Sequence, residues 1–205
     1  MTDSFLLLGF LQTSLLEILS FLLALIMVAL NIRQSPWAWL FSVASAALYA
    51  IVFYDARIYG DMSLQFVFIA VSLWGAYQWL FGGQHHDGVS VSRLKHQGWY
   101  WVAASWLVAY AMIFLLLHRF TDSDVAHIDA FLTAGSLVAQ YLLARKALEN
   151  WHMWIVIDLL YIGLYIHKDL YLTAVLYGLF AVLACAGLIA WKKSLNQKDQ
   201  KVVLP

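Results

Sequence analysis

Seven long apolar runs, separated by short polar connections, restrict what this chain of 205 residues can fold into. An α-helix needs about 20 apolar residues to cross a bilayer. The runs lie at 5–30, 37–54, 62–81, 99–117, 126–144, 151–166 and 170–191. Charged residues make up 12% of the chain and hydrophobic residues 63%, which is too little charge to cover a water-facing surface. The sequence therefore predicts an all-α integral membrane protein with seven transmembrane helices.

Charge and cysteine content exclude several classes of protein. The net charge is zero, so the chain lacks the basic surface of a nucleic-acid-binding protein. Cys185 is the only cysteine, which excludes an intramolecular disulfide and a thiolate-bound metal cluster. His85 and His86 are adjacent, a spacing that does not suit a pair of metal ligands on a helix or a strand. The sequence contains no phosphate-binding loop and no nucleophile motif, so neither a metal nor a cofactor is expected.

Basic residues are distributed unequally between the two sides of the predicted membrane. Nine lie on one side and three on the other, and Lys and Arg concentrate on the cytoplasmic side. The nine are Arg33, Arg93, Lys95, Arg145, Lys146, Lys192, Lys193, Lys198 and Lys201, and the three are Arg57, Arg119 and Lys168. The first run follows no Lys or Arg and exceeds the roughly 7–15 apolar residues of a secretory signal, so it is interpreted as a retained helix. This pattern predicts an N-terminus outside the cell and a C-terminus in the cytoplasm.

An internal repeat relates the two halves of the chain. Residues 112 positions apart match in type, and Leu, aromatic and Gly residues are among the matches. The matched pairs include Trp39 and Trp151, Tyr49 and Tyr161, Gly75 and Gly187, Trp79 and Trp191, and Arg33 and Arg145. The repeat pairs helices 1–3 with helices 5–7 and leaves helix 4 as a linker, a 3+1+3 arrangement. Because four helices separate equivalent positions, the halves are predicted to insert in parallel, as in some transporters whose site lies between the halves.

This repeat predicts how the chain is divided. The first three-helix repeat is expected at 1–81, and a cytoplasmic loop with the linker helix at 82–120. The second three-helix repeat is expected at 121–193, and a cytoplasmic tail at 194–205.

Polar residues recur at helical spacing in the predicted helices of both repeats. Polar groups in hydrocarbon are costly, so they usually face the bundle interior or a wet cavity. Helix 6 carries Trp151, Trp154, Asp158, Tyr161 and Tyr165, and helix 5 carries Asp129, Thr133, Ser136 and Gln140. Helices 1, 2, 3 and 7 add Glu17, Trp39, Ser42, Ser45, Tyr49, Asp61, Gln65, Thr173 and Tyr177. Helix 4 has almost no polar interior, so the stripes are expected to enclose a cavity between the two repeats.

Several of these residues also have a purely structural interpretation. Ser and Thr in membrane helices often bond their own backbone, and Asp61 beside Gly60 suits a helix N-cap. Trp residues near helix ends are interpreted as interfacial anchors, namely Trp37, Trp99, Trp101 and Trp191. A carboxylate deep within a membrane helix has no such explanation, which singles out Asp158 and Glu17 as functional or orienting groups.

The composition of the stripes predicts the kind of molecule that the cavity binds. Aromatic faces stack on a flat ring and attract positive charge. Carboxylates, amides and hydroxyls suit the hydroxyl groups of a ribose or a sugar. No Lys or Arg lies within a stripe, which disfavours an anionic ligand. A carrier for a planar, polar, cationic molecule is favoured. Two alternatives remain: a proton-coupled carrier using Glu17, Asp129 or Asp158, and an intramembrane enzyme, for which the stripes offer no His or Cys.

Four segments of the chain resemble the PnuC family of nicotinamide riboside transporters. They are KALENWHMW at 146–154 with the following Asp158, YGDMSLQ at 59–65, GAYQW at 75–79 and SLVAQYL at 136–142. The resemblance covers nearly the whole chain apart from the long loop and the C-terminal tail. It implies a fold of seven helices akin to the SWEET sugar transporters, located in the bacterial inner membrane as a homotrimer with one pathway per subunit.

The resemblance also implies a function and a set of site residues. The function is uptake of nicotinamide riboside, a vitamin B3 precursor of NAD, by facilitated diffusion, made one-way by a cytoplasmic riboside kinase. The binding signature of the family falls on Asn150, Trp151, Trp154 and Asp158, with Gln65 and Gln140 placed near the substrate. Tyr177, Thr133 and Ser136 complete the expected binding set from the stripes, and Glu17, Asp61 and Asp129 are expected to be structural or gating carboxylates.

Two points follow from this assignment. Related members carry thiamine or riboflavin, so the resemblance does not fix the vitamin, and a sugar also remains an alternative. One or both of Trp151 and Trp154, which lie one turn apart, are predicted to stack on the substrate ring, and anchoring of the helix end by both is the alternative. Trp154→Phe should therefore weaken binding, whereas Trp191→Phe should do little if Trp191 is an anchor.

Overall fold

The computed structural model describes residues 4–7, 11–55, 59–83, 86–120, 126–167 and 171–203, and within them the chain forms seven α-helices. Their bounds are α1 (Leu15–Ile32), α2 (Trp37–Asp55), α3 (Tyr59–Phe81), α4 (His96–Phe120), α5 (Ala126–Ala144), α6 (Glu149–His167) and α7 (Tyr171–Val203). The prediction of seven helices is confirmed, and the bounds of α2 to α6 lie within a few residues of those expected.

The N-terminal segment differs from the prediction. Two strands of four residues each, β1 (Ser4–Leu7) and β2 (Leu11–Ser14), pair antiparallel. Helix α1 therefore begins at Leu15 and not at position 5. Three successive polar residues at 12–14, the last two of them Thr and Ser, interrupt the apolar run. Thr and Ser compete with the helix backbone for hydrogen bonds and favour positions ahead of a helix over its interior.

Helix α7 is longer than the prediction. It continues through 194–203, which the sequence suggested as a separate tail, and has 33 residues. At a rise of roughly 1.5 Å per residue it is about 50 Å long, more than the roughly 30 Å of a hydrocarbon core. Neither Gly nor Pro occurs between 188 and 204, so nothing in this segment breaks the backbone hydrogen bonding.

Three helical segments are long and apolar enough to cross a membrane on length and composition, judged on the described residues. They are Met62–Phe81, His96–Phe120 and Thr173–Gln197, with mean hydropathies of 1.4, 1.9 and 2.2. Two shorter apolar helical stretches lie at Phe21–Ile32 and Trp37–Ile51. Only 6% of the apolar window in α4 is buried, so this helix presents an apolar outer surface of the kind that contacts lipid.

The chain divides into two compact units, Met1–Asp87 and Gly88–Pro205. In the first unit, α1 packs on α2 and α2 packs on α3. In the second unit, α4 packs on α5, α5 on α6 and α6 on α7. The finer division at 81, 120 and 193 stays a prediction.

The same backbone turn precedes the second helix of each predicted repeat. Gln34 and Lys146 both adopt positive φ, 56° and 49°. After α1, the Ser35 amide donates to the Leu30 carbonyl at 3.0 Å. After α5, the Ala147 amide donates to the Leu142 carbonyl at 2.9 Å. These bonds define a Schellman motif, which ends a helix and satisfies its last carbonyls.

The same tryptophan–glycine–tryptophan cluster also joins the second and third helices of each repeat. Trp39 and Trp79 meet edge to face with ring centroids 5.4 Å apart, and Trp151 and Trp191 do the same at 5.4 Å. A Cβ added to Gly75 would lie 2.5 Å from the Trp39 ring. A Cβ added to Gly187 would lie 2.6 Å from the Trp151 ring. In both units glycine is therefore needed for the indole to pack against the helix backbone.

These two local matches fall on positions separated by the same 112 residues as the sequence repeat. They support the internal repeat at the level of backbone and side-chain packing. The predicted parallel arrangement of the two halves stays a prediction.

Candidate functional site

The candidate site is built on α5 and α6, which hold the core of the second unit. Leu132 on α5 and Ile157 on α6 are almost fully buried, at 1% and 0% exposed. Gly135 lets α4 approach, because a Cβ there would lie 2.6 Å from the Trp106 ring. A rigid, close-packed core is what holds polar side chains in fixed positions on these two helices.

Two buried polar atoms at the start of α6 have no hydrogen-bond partner within the described part of the chain. They are Oδ1 of Asn150, a residue 0% exposed, and Nε1 of Trp151, a residue 2% exposed. The amide nitrogen of Asn150 is used, because Nδ2 donates to the Ala147 carbonyl at 2.6 Å. A buried polar atom left unpaired costs about 1–3 kcal/mol. The fold therefore leaves one acceptor and one donor, on adjacent residues, with bonding capacity unused.

Trp151 and Trp154 have different surroundings despite their helical spacing. The Trp151 ring packs between Gly187 and Trp191, so α7 covers it. Trp154 is half-buried and packs against the hydrophobic core of the unit. Trp154 is thus the indole with accessible surface. In Trp151 the group with unused bonding capacity is the indole N–H at the edge of the ring.

The interpretation of Trp191 as an interfacial anchor is wrong. Trp191 is 0% exposed and packs edge to face with Trp151. The other three residues interpreted as anchors, Trp37, Trp99 and Trp101, are 66%, 46% and 75% exposed. Position near the end of an apolar run suggested the same role for all four, but burial of Trp191 depends on Gly187, whose effect is visible only in the packing.

Asp158 lies further along α6, and three tyrosines lie beyond it. Its carboxylate is buried, with the residue 4% exposed. Tyr161, Tyr165 and Tyr177 form a triangle with ring centroids 4.6, 5.1 and 5.8 Å apart. Tyr165 and Tyr177 are joined by a side-chain hydrogen bond, and Asp158 interacts electrostatically with Tyr177. The predicted residues Asp158 and Tyr177 are therefore brought together across α6 and α7.

The polar stripe of α5 meets α6 at Tyr161. Thr133 and Ser136 lie close enough to the Tyr161 side chain to interact with it. The Thr133 hydroxyl also reaches Asp129 Oδ1 at 3.5 Å, and the Ser136 hydroxyl donates to the Leu132 carbonyl at 2.9 Å. The α5 residues thus extend the tyrosine cluster into a continuous polar and aromatic set.

Two further predicted site residues are among those that the structure describes. Gln140 is buried on α5, at 6% exposed. Gln65 is half-buried on α3 of the first unit. The side chains of Glu17 and Asp61 lie outside the described residues, so their expected roles stay predictions. Within the described residues no group of His, Cys, Asp and Glu has the arrangement of a metal site.

A short clamp joins the segment before α4 to the turn before α6, which sequence reasoning missed. Ser92 pairs with this turn, because its amide donates to the Lys146 carbonyl at 3.1 Å and its carbonyl accepts from the Leu148 amide at 2.9 Å. The Leu94 amide donates to Glu149 Oε2 at 3.0 Å. Burial in this turn lowers the pKa of the Lys146 ammonium below its usual value. The clamp positions the residues that immediately precede Asn150.

Helix α4 also contributes more than its predicted role as a linker. Trp106, Tyr110 and Phe114 recur every four residues and pack on α5. The Trp106 indole donates to the Phe131 carbonyl at 2.9 Å, and the Tyr110 hydroxyl lies 2.9 Å from His127 Nδ1. The four-residue spacing of aromatics was visible in the sequence and marks one helix face.

Comparison with known proteins places this arrangement among membrane transporters. A crystal structure of the vitamin B3 transporter PnuC matches with a TM-score of 0.71 and 25% identity, covering 89% of this chain and 82% of that one. Together with apolar outer helices and a buried polar cluster, this fold defines an integral membrane transporter. The chain belongs to the nicotinamide mononucleotide transporter family, whose model matches residues 14–193.

Curated relatives differ in the vitamin named for each. The riboflavin/roseoflavin transporter RibM of Streptomyces davaonensis is 28% identical over 89% of this chain and 86% of its own length. The nicotinamide riboside transporter PnuC of Neisseria mucosa is 29% identical over 62% of this chain and 50% of its own length. The PnuC of Escherichia coli is 21% identical over 80% of both chains. The resemblance to the PnuC family is thereby confirmed, while the vitamin remains to be assigned.

Proposed function

We propose that this protein carries nicotinamide riboside across the bacterial inner membrane by facilitated diffusion. The observation that carries the proposal is the pair of unpaired buried atoms, Asn150 Oδ1 and Trp151 Nε1, within the segment that most resembles the family. A ligand that supplies a hydroxyl donor and an acceptor oxygen would satisfy both atoms. Each ribose hydroxyl can both donate and accept a hydrogen bond, so a ribose has the chemistry that these two atoms need.

The charge and the aromatic residues favour a cationic ring. Trp154 offers the accessible indole face, and Asp158 supplies a buried carboxylate one turn further along α6. A cation–π contact in a desolvated site is worth roughly 2 kcal/mol, a factor of about thirty in affinity. Gln140, Thr133, Ser136 and Tyr177 complete the proposed lining from α5 and α7.

The substrate is proposed to be the riboside and not its phosphate. Neither α5 nor α6 contains a Lys or an Arg. A phosphate entering between these helices would lose its water without gaining a cationic partner, which is unfavourable. Phosphorylation by a cytoplasmic kinase would then trap the product, and a homotrimer with one pathway per subunit is the proposed assembly.

A riboflavin carrier is the second candidate, because RibM aligns over most of both chains. Riboflavin is neutral and has three fused rings, so it would gain less from Asp158 and would need a longer aromatic platform. The two candidates therefore differ in the charge and the size of the preferred ring.

Uptake into sealed liposomes tests the function directly. Purified protein should equilibrate labelled nicotinamide riboside in a saturable manner, and unlabelled riboside should compete better than riboflavin, thiamine or glucose. Stronger competition by riboflavin would establish the second candidate. Accumulation driven only by an imposed proton or sodium gradient would show a coupled carrier, and recovery of a chemically altered riboside would show an enzyme.

The proposed orientation places 82–98 and the C-terminus in the cytoplasm. A single cysteine at Gly88, introduced after Cys185→Ser removes the native thiol, should resist an impermeant thiol reagent in intact cells. The same cysteine should react after the membrane is opened. Labelling from outside in intact cells would reverse the topology.

A further inference from the structure

A groove of about 640 Å³ runs between α4 and α5 on the second unit. Its lining includes none of the proposed substrate residues. Apolar residues of both helices form most of it, and its polar members are Ser92, Ser105, Tyr141 and Arg145. No Asp or Glu is among the described residues that line it.

The groove runs from the start of α4 towards its middle. Trp101 lines the end of the groove near the start of α4 and is 75% exposed. It belongs to a cluster of exposed aromatic residues of the kind found at a membrane–water interface. Ala109 lies eight residues further along α4, which is about 12 Å deeper at the helical rise of roughly 1.5 Å per residue. The groove is therefore deep enough to hold a substantial part of an acyl chain.

Its charge is confined to the interfacial end. Arg145 follows the last residue of α5, is exposed, and lines the groove. Glu149, four residues further along the chain, is buried, accepts a hydrogen bond from the Leu94 amide and does not line the groove. A guanidinium at the interface above an apolar channel is complementary to a phosphate headgroup with its tail below.

We propose that this groove binds one anionic phospholipid, with its phosphate at Arg145 and an acyl chain along α4 and α5 towards Ala109. The lipid would seal the contact between these helices on the side where the clamp at Ser92 holds the start of α6. This site is independent of the vitamin that the protein carries.

Native mass spectrometry of the detergent-purified full chain tests the proposal with phosphatidylglycerol and phosphatidylcholine added in equal amounts. Phosphatidylglycerol should be retained preferentially. Arg145→Gln should reduce that retention about fivefold, the effect of removing one basic contact at a membrane surface. Arg145→Lys should keep most of it. Ala109→Trp, which fills the deep end, should reduce retention of both lipids.

Arg33→Gln is the matched control, because Arg33 is the repeat equivalent of Arg145 and is not among the residues lining the groove. Its lipid retention should equal that of the unaltered protein. Equal retention of the two lipids by the unaltered protein would overturn the proposal without any variant. If the protein forms an oligomer without lipid and Ala109→Trp dissociates that oligomer, a second copy of the chain covers the groove. This result would also overturn the proposal.

Discussion

The two units share a frame but differ in what the frame carries. In each, a Schellman turn leads into a helix whose buried Trp packs on a glycine and against a second Trp. In the second unit that helix presents Asn150, Trp154 and Asp158. At the equivalent positions of the first unit, Ala38, Ser42 and Ala46 are small and buried.

This difference shows that the shared buried Trp and the side chains that differ between the units occupy separate positions of the same helix. In the first unit the Ser42 hydroxyl hydrogen-bonds with Ser72 on α3 at 2.7 Å, so the space is closed by a polar contact between helices. In the second unit the equivalent positions hold Trp154 and Ala184, a large residue opposite a small one. At these positions the second unit therefore carries large or polar side chains, and the first unit has a packed interface of small residues.

The largest expected effect concerns the shared frame. Trp79→Ala and Trp191→Ala should each destabilise the protein by about 3–5 kcal/mol, because both remove a buried indole. Thermal unfolding in detergent should show similar losses for the two. Trp101→Ala, at an exposed position, should show little loss. A stable Trp191→Ala variant would restore the interpretation of Trp191 as an anchor.

The glycines should show a smaller effect on the same measurement. Gly75→Ala and Gly187→Ala each introduce a Cβ 2.5–2.6 Å from a tryptophan ring. Overpacking of this kind costs typically about 1–3 kcal/mol. Gly163→Ala is a suitable control, since a Cβ there meets nothing within 4 Å. If Gly187→Ala unfolds at the temperature of the control, the close approach of Trp151 does not matter for stability.

The difference in chemistry should appear in substrate affinity. Trp154→Phe should weaken riboside binding at least several-fold, because Phe is the smaller and weaker partner for a cationic ring. Calorimetric titration measures this effect, and normal thermal stability would show that the variant folds. Trp101→Phe replaces Trp191→Phe as the control, since Trp191 is buried. Near-native affinity of Trp154→Phe would refute the stacking role.

The smallest effect should come from the closed interface of the first unit. Ser42→Ala removes one buried hydrogen bond with Ser72 and should lower stability by about 1 kcal/mol. Because no substrate contact is proposed for Ser42, riboside affinity should stay within the error of the titration. A marked loss of affinity with unchanged stability would mean that the first unit also binds the substrate.

Hydrophobic periodicity predicted α2 to α6 well, because long apolar runs bounded by turn residues leave few alternatives. It failed at the N-terminus, where α1 begins only after a few polar residues that lie inside the apolar run. It also misjudged Trp191. Gly187, on the same helix, allows the Trp151 indole of α6 to approach, and Trp191 packs against that indole.

Within the candidate site, helical spacing placed Thr133 and Ser136 on one face of α5 and Tyr161 on one face of α6, and the structure brings these side chains near one another. Spacing alone predicted that Trp151 and Trp154 act together, whereas packing against α7 separates their surroundings. The unpaired oxygen of Asn150 was not predictable, because it depends on how the preceding turn orients the amide.

The clamp between Ser92 and the turn before α6 has a consequence for the timing of synthesis. Leu94 and Glu149 are separated by 55 positions, so the clamp cannot form until α4, α5 and the start of α6 have all been made. At about 5–20 residues per second, Glu149 is added roughly 3–11 s after Leu94. During that interval α4 and α5 have only the contacts between themselves, which include aromatic packing and the Trp106–Phe131 hydrogen bond.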